Sequence, residues 1–227
     1  FTQDGVSQGF DVYYRKVDTT QSSTTTVTPY KSGSIGGAVR LGFPIGEKQS
    51  LSFGLGIDQT EITAFRLSSS PQTIKFVEET GGAQPDTTQP TATNITIPVT
   101  ANWISDGKDS YLFPTTGWYQ RASLEVAIPG GDLTFYKASY QLQRYFAVSR
   151  SFTLMLNSEV GYANSYGSTA SLPFYKNFYA GGVNTVRGFK AGSLGPQDIY
   201  GNTIGGNERF IGQAELLWGI PGMEKNI

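Results

Sequence analysis

The tightest constraint on this chain is the alternation at positions 50–58, where Leu51, Phe53, Leu55 and Ile57 interleave with Ser50, Ser52, Gly54, Gly56 and Asp58. Only an extended strand throws successive side chains to opposite sides, so this segment has one apolar face and one small or polar face. The same period of two recurs along the chain. Residues 6–16 set Val6, Phe10, Val12 and Tyr14 against Ser7, Gly9, Asp11, Tyr13 and Arg15, with Gln8 as the exception. Residues 34–43, 95–103, 118–128, 136–143, 152–162 and 209–220 repeat it, which makes eight segments. Their length is about the ten residues that a tilted strand needs to cross a bilayer. Pro98 has no N–H to donate to a ladder, so a bulge or local gap is expected there.

The connections differ in length. Those after the second, fourth and sixth segments are modest, and those after the first, third and seventh are longer and rich in Ser, Thr and Gly. Outer-membrane barrels show this asymmetry between short periplasmic turns and long outer loops. Residues 129–132, Pro-Gly-Gly-Asp, form a tight reversal that departs from it. Residues 64–93 contain SSSPQ, TGGAQPD and TQPTAT and predict an irregular loop, with a short strand at 73–77.

Two architectures accommodate such strands, a soluble β-sandwich and a transmembrane β-barrel. A sandwich would crowd Lys and Glu onto its polar faces, whereas here those faces are mostly Ser, Thr, Gly, Asn and Gln. Tyr14, Phe43, Trp103, Trp118, Phe152, Tyr162 and Trp218 lie near the ends of the apolar faces, as interfacial girdle residues do. The pattern favours an all-β antiparallel transmembrane β-barrel, with the sandwich as the competing reading. The expected lipid-facing set is Phe10, Val12, Ile35, Val39, Leu41, Leu51, Phe53, Leu55, Ile57, Val99, Leu124, Val126, Leu142, Leu154, Leu156, Leu216 and Ile220.

Composition narrows the chemistry. Cys and His are both absent, which removes disulfides, thiolate and imidazole metal ligands, and Ser-His or Cys-His catalysis. A net charge of −1 with 17 Lys and Arg leaves no electrostatic footprint for nucleic acid. No apolar run is long enough for a membrane-spanning helix. Asp11, Asp58, Glu125, Glu159 and Glu215 fall on polar faces together with Arg15, Arg40, Arg121 and Lys137. Mixed charge of this kind is the usual lining of a barrel, and no acid/base pair is singled out by spacing. Tyr13, Tyr119 and Tyr145 on the same face are expected to pack against a loop. The reading is of a non-enzymatic protein without a cofactor.

One connection, residues 163–207, is much longer than a hairpin turn and carries PFYKNFYAGGVNTVRGFKAGSLGP at 173–196. Its aromatic and Gly content predicts a packed functional loop. Gly188 permits a sharp turn beside Arg187, and Gly181 and Gly182 permit close backbone approach, so the loop can fold inward. Parity places Glu215 on the polar face, opposite Leu216 and Trp218.

The FYAGG and VRGF words of this loop, carried by Phe178, Tyr179, Gly181, Gly182, Val186, Arg187, Gly188 and Phe189, resemble the sixth extracellular loop of the BamA-like family of outer-membrane protein assembly factors. FTQDGVSQG, LGFPI, LFPTTG and AELLWGIPG extend the likeness from end to end. TamA-like and two-partner-secretion transporters share VRGF-type loops, but FYAGG and FPTTG favour the BamA-like branch. The resemblance implies a sixteen-stranded barrel of which this chain, residues 1–227, supplies about the fifth to twelfth strands. It implies an insertase that folds nascent β-barrel proteins into the Gram-negative outer membrane, with outer-membrane lipid, those client proteins and assembly-complex lipoproteins as partners. Porin-like conduction and protein secretion are the alternatives. It also implies that Arg187 pairs with Glu215 on the inward side. A partial sheet with two open edge strands is expected to self-associate or close on itself.

Overall fold

The computed structural model describes residues 5–20 and 27–219, and the expected lipid-facing Ile220 and parts of the FTQDG and IPG words lie outside them. The chain is an antiparallel sheet built from β1 (Ser7–Asp18), β2 (Tyr30–Gly46), β3 (Gln49–Ala64), β4 (Thr91–Thr96), β5 (Pro98–Asp106), β6 (Gly117–Ala127), β7 (Phe135–Ala147), β8 (Phe152–Ser165) and β9 (Glu208–Trp218). The strands follow chain order, β1-β2-β3-β5-β6-β7-β8-β9, with β4 also paired to β3. Apart from β4, strands adjacent along this path are successive in the chain, which is the topology of an up-and-down barrel wall rather than a Greek-key sandwich.

Register decides the faces. Phe10, Val39, Leu55, Val99 and Val126 stand in one cross-strand row, and Leu41, Phe53, Ala101 and Leu124 in the next. Followed through β7, β8 and β9, these rows place every described member of the lipid-facing set on one side. Among the described residues nothing covers that side: Val12 is 90% and Phe10 78% exposed. A sandwich would have buried this face against a second sheet, so the competing architecture falls here.

The main buried cluster lies on the opposite, inward face, toward one end of it. There Ile62, Ala92, Ala127, Phe135 and Ala163 of the sheet meet Phe76 and Val77 of a helix and Leu172, Phe174 and Phe178 of the long connection. The helix, α1 (Pro71–Gly81), corrects the expected short strand at 73–77. Ser70 caps it, its hydroxyl accepting the Thr73 N–H at 3.1 Å, and Pro71 occupies the first turn where no N–H is needed. Ser-Pro is therefore a helix start here, and Ile74, Phe76 and Val77 turn toward the core. Phe76 packs edge-on against Phe174 and Tyr175, at ring-centroid distances of 5.7 and 6.2 Å.

Pro98 splits the expected strand at 95–103 into two. Both β4 and β5 pair with β3, with Ile97 between them. The adjoining tight reversal stitches the gap: Ile128 N–H donates to the Ile97 carbonyl at 3.0 Å and Asp132 N–H to that of Ile95 at 2.7 Å. The Asp132 carboxylate accepts the Ile95 N–H in return, at 2.6 Å.

Candidate functional site

The connection between β8 and β9 turns inward and lies along the polar face. A single 3-10 turn, Phe174–Lys176, starts the descent, and Phe178 pairs by backbone with Gly206 on the way back. Lys176 Nζ reaches Glu125 of β6 at 2.5 Å, and its carbonyl accepts from Lys137 of β7 at 2.7 Å. Two residues on, the Phe178 ring is held between cations. Lys137 Nζ sits 4.3 Å from its centroid and the Arg209 guanidinium 5.1 Å. Such contacts contribute about 0.5 to 2 kcal/mol each, more as water is excluded.

Arg209 of β9 is the main strut. It forms an ion pair with Glu159 of β8 and donates to the Tyr179 carbonyl at 3.0 Å. Both charged side chains are about one-fifth to one-quarter exposed, at 19% and 24%. The partial burial strengthens the pair beyond a surface bridge, and loss of either partner would cost about 2 to 3 kcal/mol. Burial also pushes the phenols of Tyr175 and Tyr179 well above their ordinary value, so both stay neutral and pack as apolar rings.

Beyond Tyr179 the chain makes a tight knot. Gly181 and Gly182 adopt φ of 110° and 101°, which L side chains rarely tolerate, and a Cβ on Gly181 would meet the Lys190 carbonyl at 2.4 Å. Gly181 N–H donates to the Thr185 hydroxyl at 2.9 Å, Thr185 N–H to the Gly182 carbonyl at 3.1 Å, and Gly182 N–H to the Phe189 carbonyl at 3.1 Å. Gln213 of β9 donates to the Thr185 carbonyl and ties the knot to the sheet. Val186, Arg187, Gly188 and Phe189 form its tip, with Gly188 at φ 88°.

Arg187 Nη2 lies 3.3 Å from Glu215 Oε1. The arginine is 68% exposed and the glutamate 23%, so this bridge belongs to the solvated class and contributes about 1 kcal/mol or less. Fixing the loop falls to Lys176–Glu125, Arg209–Glu159 and Phe178, which sequence reasoning did not assemble. Glu125, Glu159 and Lys137 were visible as residues of one face. What they meet was not, because Glu159 and Arg209 are brought together only by the β8–β9 register and Lys176 only by the loop path.

Several of the other inward charges are engaged within the sheet. Arg40 grips Asp11, with Nε 2.5 Å from one carboxylate oxygen and Nη2 2.7 Å from the other. The Tyr13 hydroxyl donates to Asp58, Lys108 Nζ lies 5.5 Å over the Tyr119 ring, and the Tyr145 hydroxyl donates to Gln143 at 3.3 Å. Of these tyrosines, Tyr119 meets a residue of the connection between β5 and β6, whereas the hydroxyls of Tyr13 and Tyr145 are held by residues of the sheet. A polar cleft of about 790 Å³ remains between Arg40, Asp58 and the Lys176–Glu125 pair. Each of these carboxylates is paired with a cation or a phenol, and Asp58 also accepts from the Thr60 hydroxyl at 2.7 Å.

Known proteins align with this chain, some of them along its whole length. The Omp85 superfamily domain matches residues 1–227. The outer membrane protein assembly factor BamA of Neisseria meningitidis serogroup B is 36% identical over 226 residues, 98% of this chain and 28% of that protein. A SAM50-like protein of Schizosaccharomyces pombe is 31% identical over 121 residues, 51% of this chain and 25% of that one. In three dimensions, the crystal structure of BamA from Haemophilus ducreyi lacking POTRA domains 1–3 superposes with a TM-score of 0.88 at 25% identity, covering 100% of this chain and 44% of that one. The chain thus spans about a quarter of the curated BamA relative. Its all-β meander, with a lipid-type outward face and a loop folded onto the inward face, is a segment of a barrel wall, and the chain belongs to the Omp85 superfamily.

Proposed function

We propose that the protein is an insertase of the Gram-negative outer membrane, which folds and inserts nascent β-barrel proteins without an enzyme's covalent chemistry or a cofactor. The observation that carries this reading is the inward loop, because an Omp85 sheet docks the FYAGG and VRGF connection through the Lys176–Glu125 ion pair and through Arg209, which Glu159 holds and which donates to the Tyr179 carbonyl. A passive pore can also fold a loop inward but has no reason to carry VRGF. The BamA relative, named for assembly of outer-membrane proteins, supports the same class. Residues 1–227 form part of the barrel, with the expected outer loop 163–207 beginning only after β8 ends at Ser165, and assembly-complex lipoproteins and client proteins are its protein partners.

Within this reading Val186, Arg187, Gly188 and Phe189 are the working tip, Gly181 and Gly182 the glycines that support it by letting the knot close, and Glu215 the inward partner of Arg187. A solvated bridge suits this role. It positions the tip without locking it, while Arg209 and Lys176 hold the base of the loop. The test is a liposome assay on the protein with its native flanking sequence, in which folding of an unfolded client barrel is followed by its gel-mobility shift. Acceleration over empty liposomes supports the insertase, solute flux without acceleration supports a pore, and export of a soluble passenger supports a secretion transporter.

A further inference from the structure

Arg144 stands apart from the arginines that line the inward face. It belongs to the outward rows, opposite Trp118 on β6 and Leu156 on β8. Between β5 and β8 the outward face carries no other formal charge, so no carboxylate on these strands can reach it. Its guanidinium lies 5.8 Å from the Trp118 ring and 5.9 Å from that of Phe146, which cradle it and leave its N–H donors free to face the membrane. Trp118 is itself fixed, its indole N–H donating to Ser105 at 3.2 Å.

Depth identifies the counter-charge. Arg144 is three residues from the end of β7 at Ala147, about 10 Å along the strand, so a flexible arginine reaches the headgroup level of the leaflet on the turn side. An unpaired cation on a lipid-facing strand is unfavourable unless an anion meets it there. Toward the membrane centre the outward face of β5–β8 holds a shallow depression of about 470 Å³, floored by Ala101, Ala122 and Ala138 and walled by Trp103 and Tyr140. Ala138 lies six residues from Arg144, about 20 Å along the same strand, which is the reach of an extended acyl chain. Gln120 lies beside Arg144 and is oriented by the Tyr140 hydroxyl, which donates to its carbonyl at 2.8 Å and leaves the amide N–H groups as further donors.

We infer that Arg144, flanked by Trp118 and Phe146, is a binding site for the phosphate of one phospholipid, whose acyl chain lies in the depression above it. A guanidinium matches a phosphodiester by two parallel hydrogen bonds, which a lysine cannot reproduce. The site is independent of the loop and of the insertase reading.

The test delipidates the purified protein in detergent and offers equal amounts of dioleoyl phosphatidylglycerol and dioleoylglycerol, with bound molecules counted by native mass spectrometry. The wild-type protein should retain the phosphate-bearing lipid about tenfold better than the neutral one, the worth of a charge-assisted pair. Arg144→Gln should abolish that preference, Arg144→Lys should keep part of it, and Ala122→Phe, which fills the depression, should weaken retention with Arg144 intact. Equal retention of the two lipids by the wild type, or an undiminished preference in a folded Arg144→Gln protein, overturns the proposal. The lipid comparison on the wild type needs no variant, so misfolding of a mutant does not rescue the idea. Client folding is not read at all, so failure here leaves the insertase reading to its own assay.

Discussion

The ring of Phe178 lies against the bare backbone of Gly161, so close that a Cβ on that glycine would sit 2.6 Å from it. The long loop is therefore seated on β8 by shape as well as by charge. Gly161→Val should drive the ring out of its place between Lys137 and Arg209. Overpacking of this kind costs about 1 to 3 kcal/mol, and it should open the loop to trypsin at Lys176, Arg187 and Lys190 while the strands stay folded. Unchanged cleavage in a protein of native gel mobility would show that the loop is held without this contact.

Two ion pairs touch the loop at different depths, and their mutants should rank accordingly. Arg209→Ala and Glu159→Gln should each destabilise loop docking by about 2 to 3 kcal/mol, since each leaves a partly buried charge unpaired. Arg187→Ala and Glu215→Gln should cost about 1 kcal/mol or less, because Arg187 is 68% exposed. Hydrogen exchange at the amides of Gly182 and Phe178 reads the difference. Equal losses in the two series would contradict the burial argument. If Arg187 has the working role proposed above, its mutant should lose client folding out of proportion to this small structural effect.

The helix offers a separate handle. Phe76→Ala removes a buried ring that bridges α1 to Phe174 and Tyr175, a change worth about 3 to 5 kcal/mol in a core. Because the outward face of the sheet does not depend on that core, the strands should persist while α1 and the loop base come loose together. Loss of exchange protection at both Val77 and Phe178 is the expected signature; protection lost at Val77 alone would separate the two elements.

On the turn side, Asp109 organises residues 109–116 by accepting the N–H groups of Thr115 at 2.9 Å and Thr116 at 3.1 Å. Burial pushes its carboxyl upward, but the Thr115 hydroxyl and these amides outweigh it and lower the pKa from 3.8 to about 2. A depressed folded pKa means that the contribution is complete above the ordinary value and is lost as pH falls through the folded one. Order in this turn should therefore persist at pH 5 and fade between about pH 4 and pH 2, as monitored by the amide resonances of Thr115 and Thr116. Asp109→Asn should remove that acid transition. A transition of the same midpoint in the variant would assign it to another group.

The alternation at 50–58 was sufficient to state that Leu51, Phe53, Leu55 and Ile57 share a face, because side-chain direction in a strand is set by the local backbone. The same local rule placed Glu125, Glu159 and Glu215 together on the other side, and the VRGF words and their glycines were readable one residue at a time. Neighbouring residues also carried the signal for α1, Ser70 followed by Pro71, but the surrounding Gly, Pro and Thr outweighed it. Partner choice was decided elsewhere. Lys176 and Glu125 are 51 residues apart, and Arg209 and Glu159 are 50 apart. Whether such charges meet depends on strand register and on where a long connection comes to rest. Those are properties of the assembled chain, since the free energy that selects one pairing among several inward carboxylates arises only when burial removes the competing water.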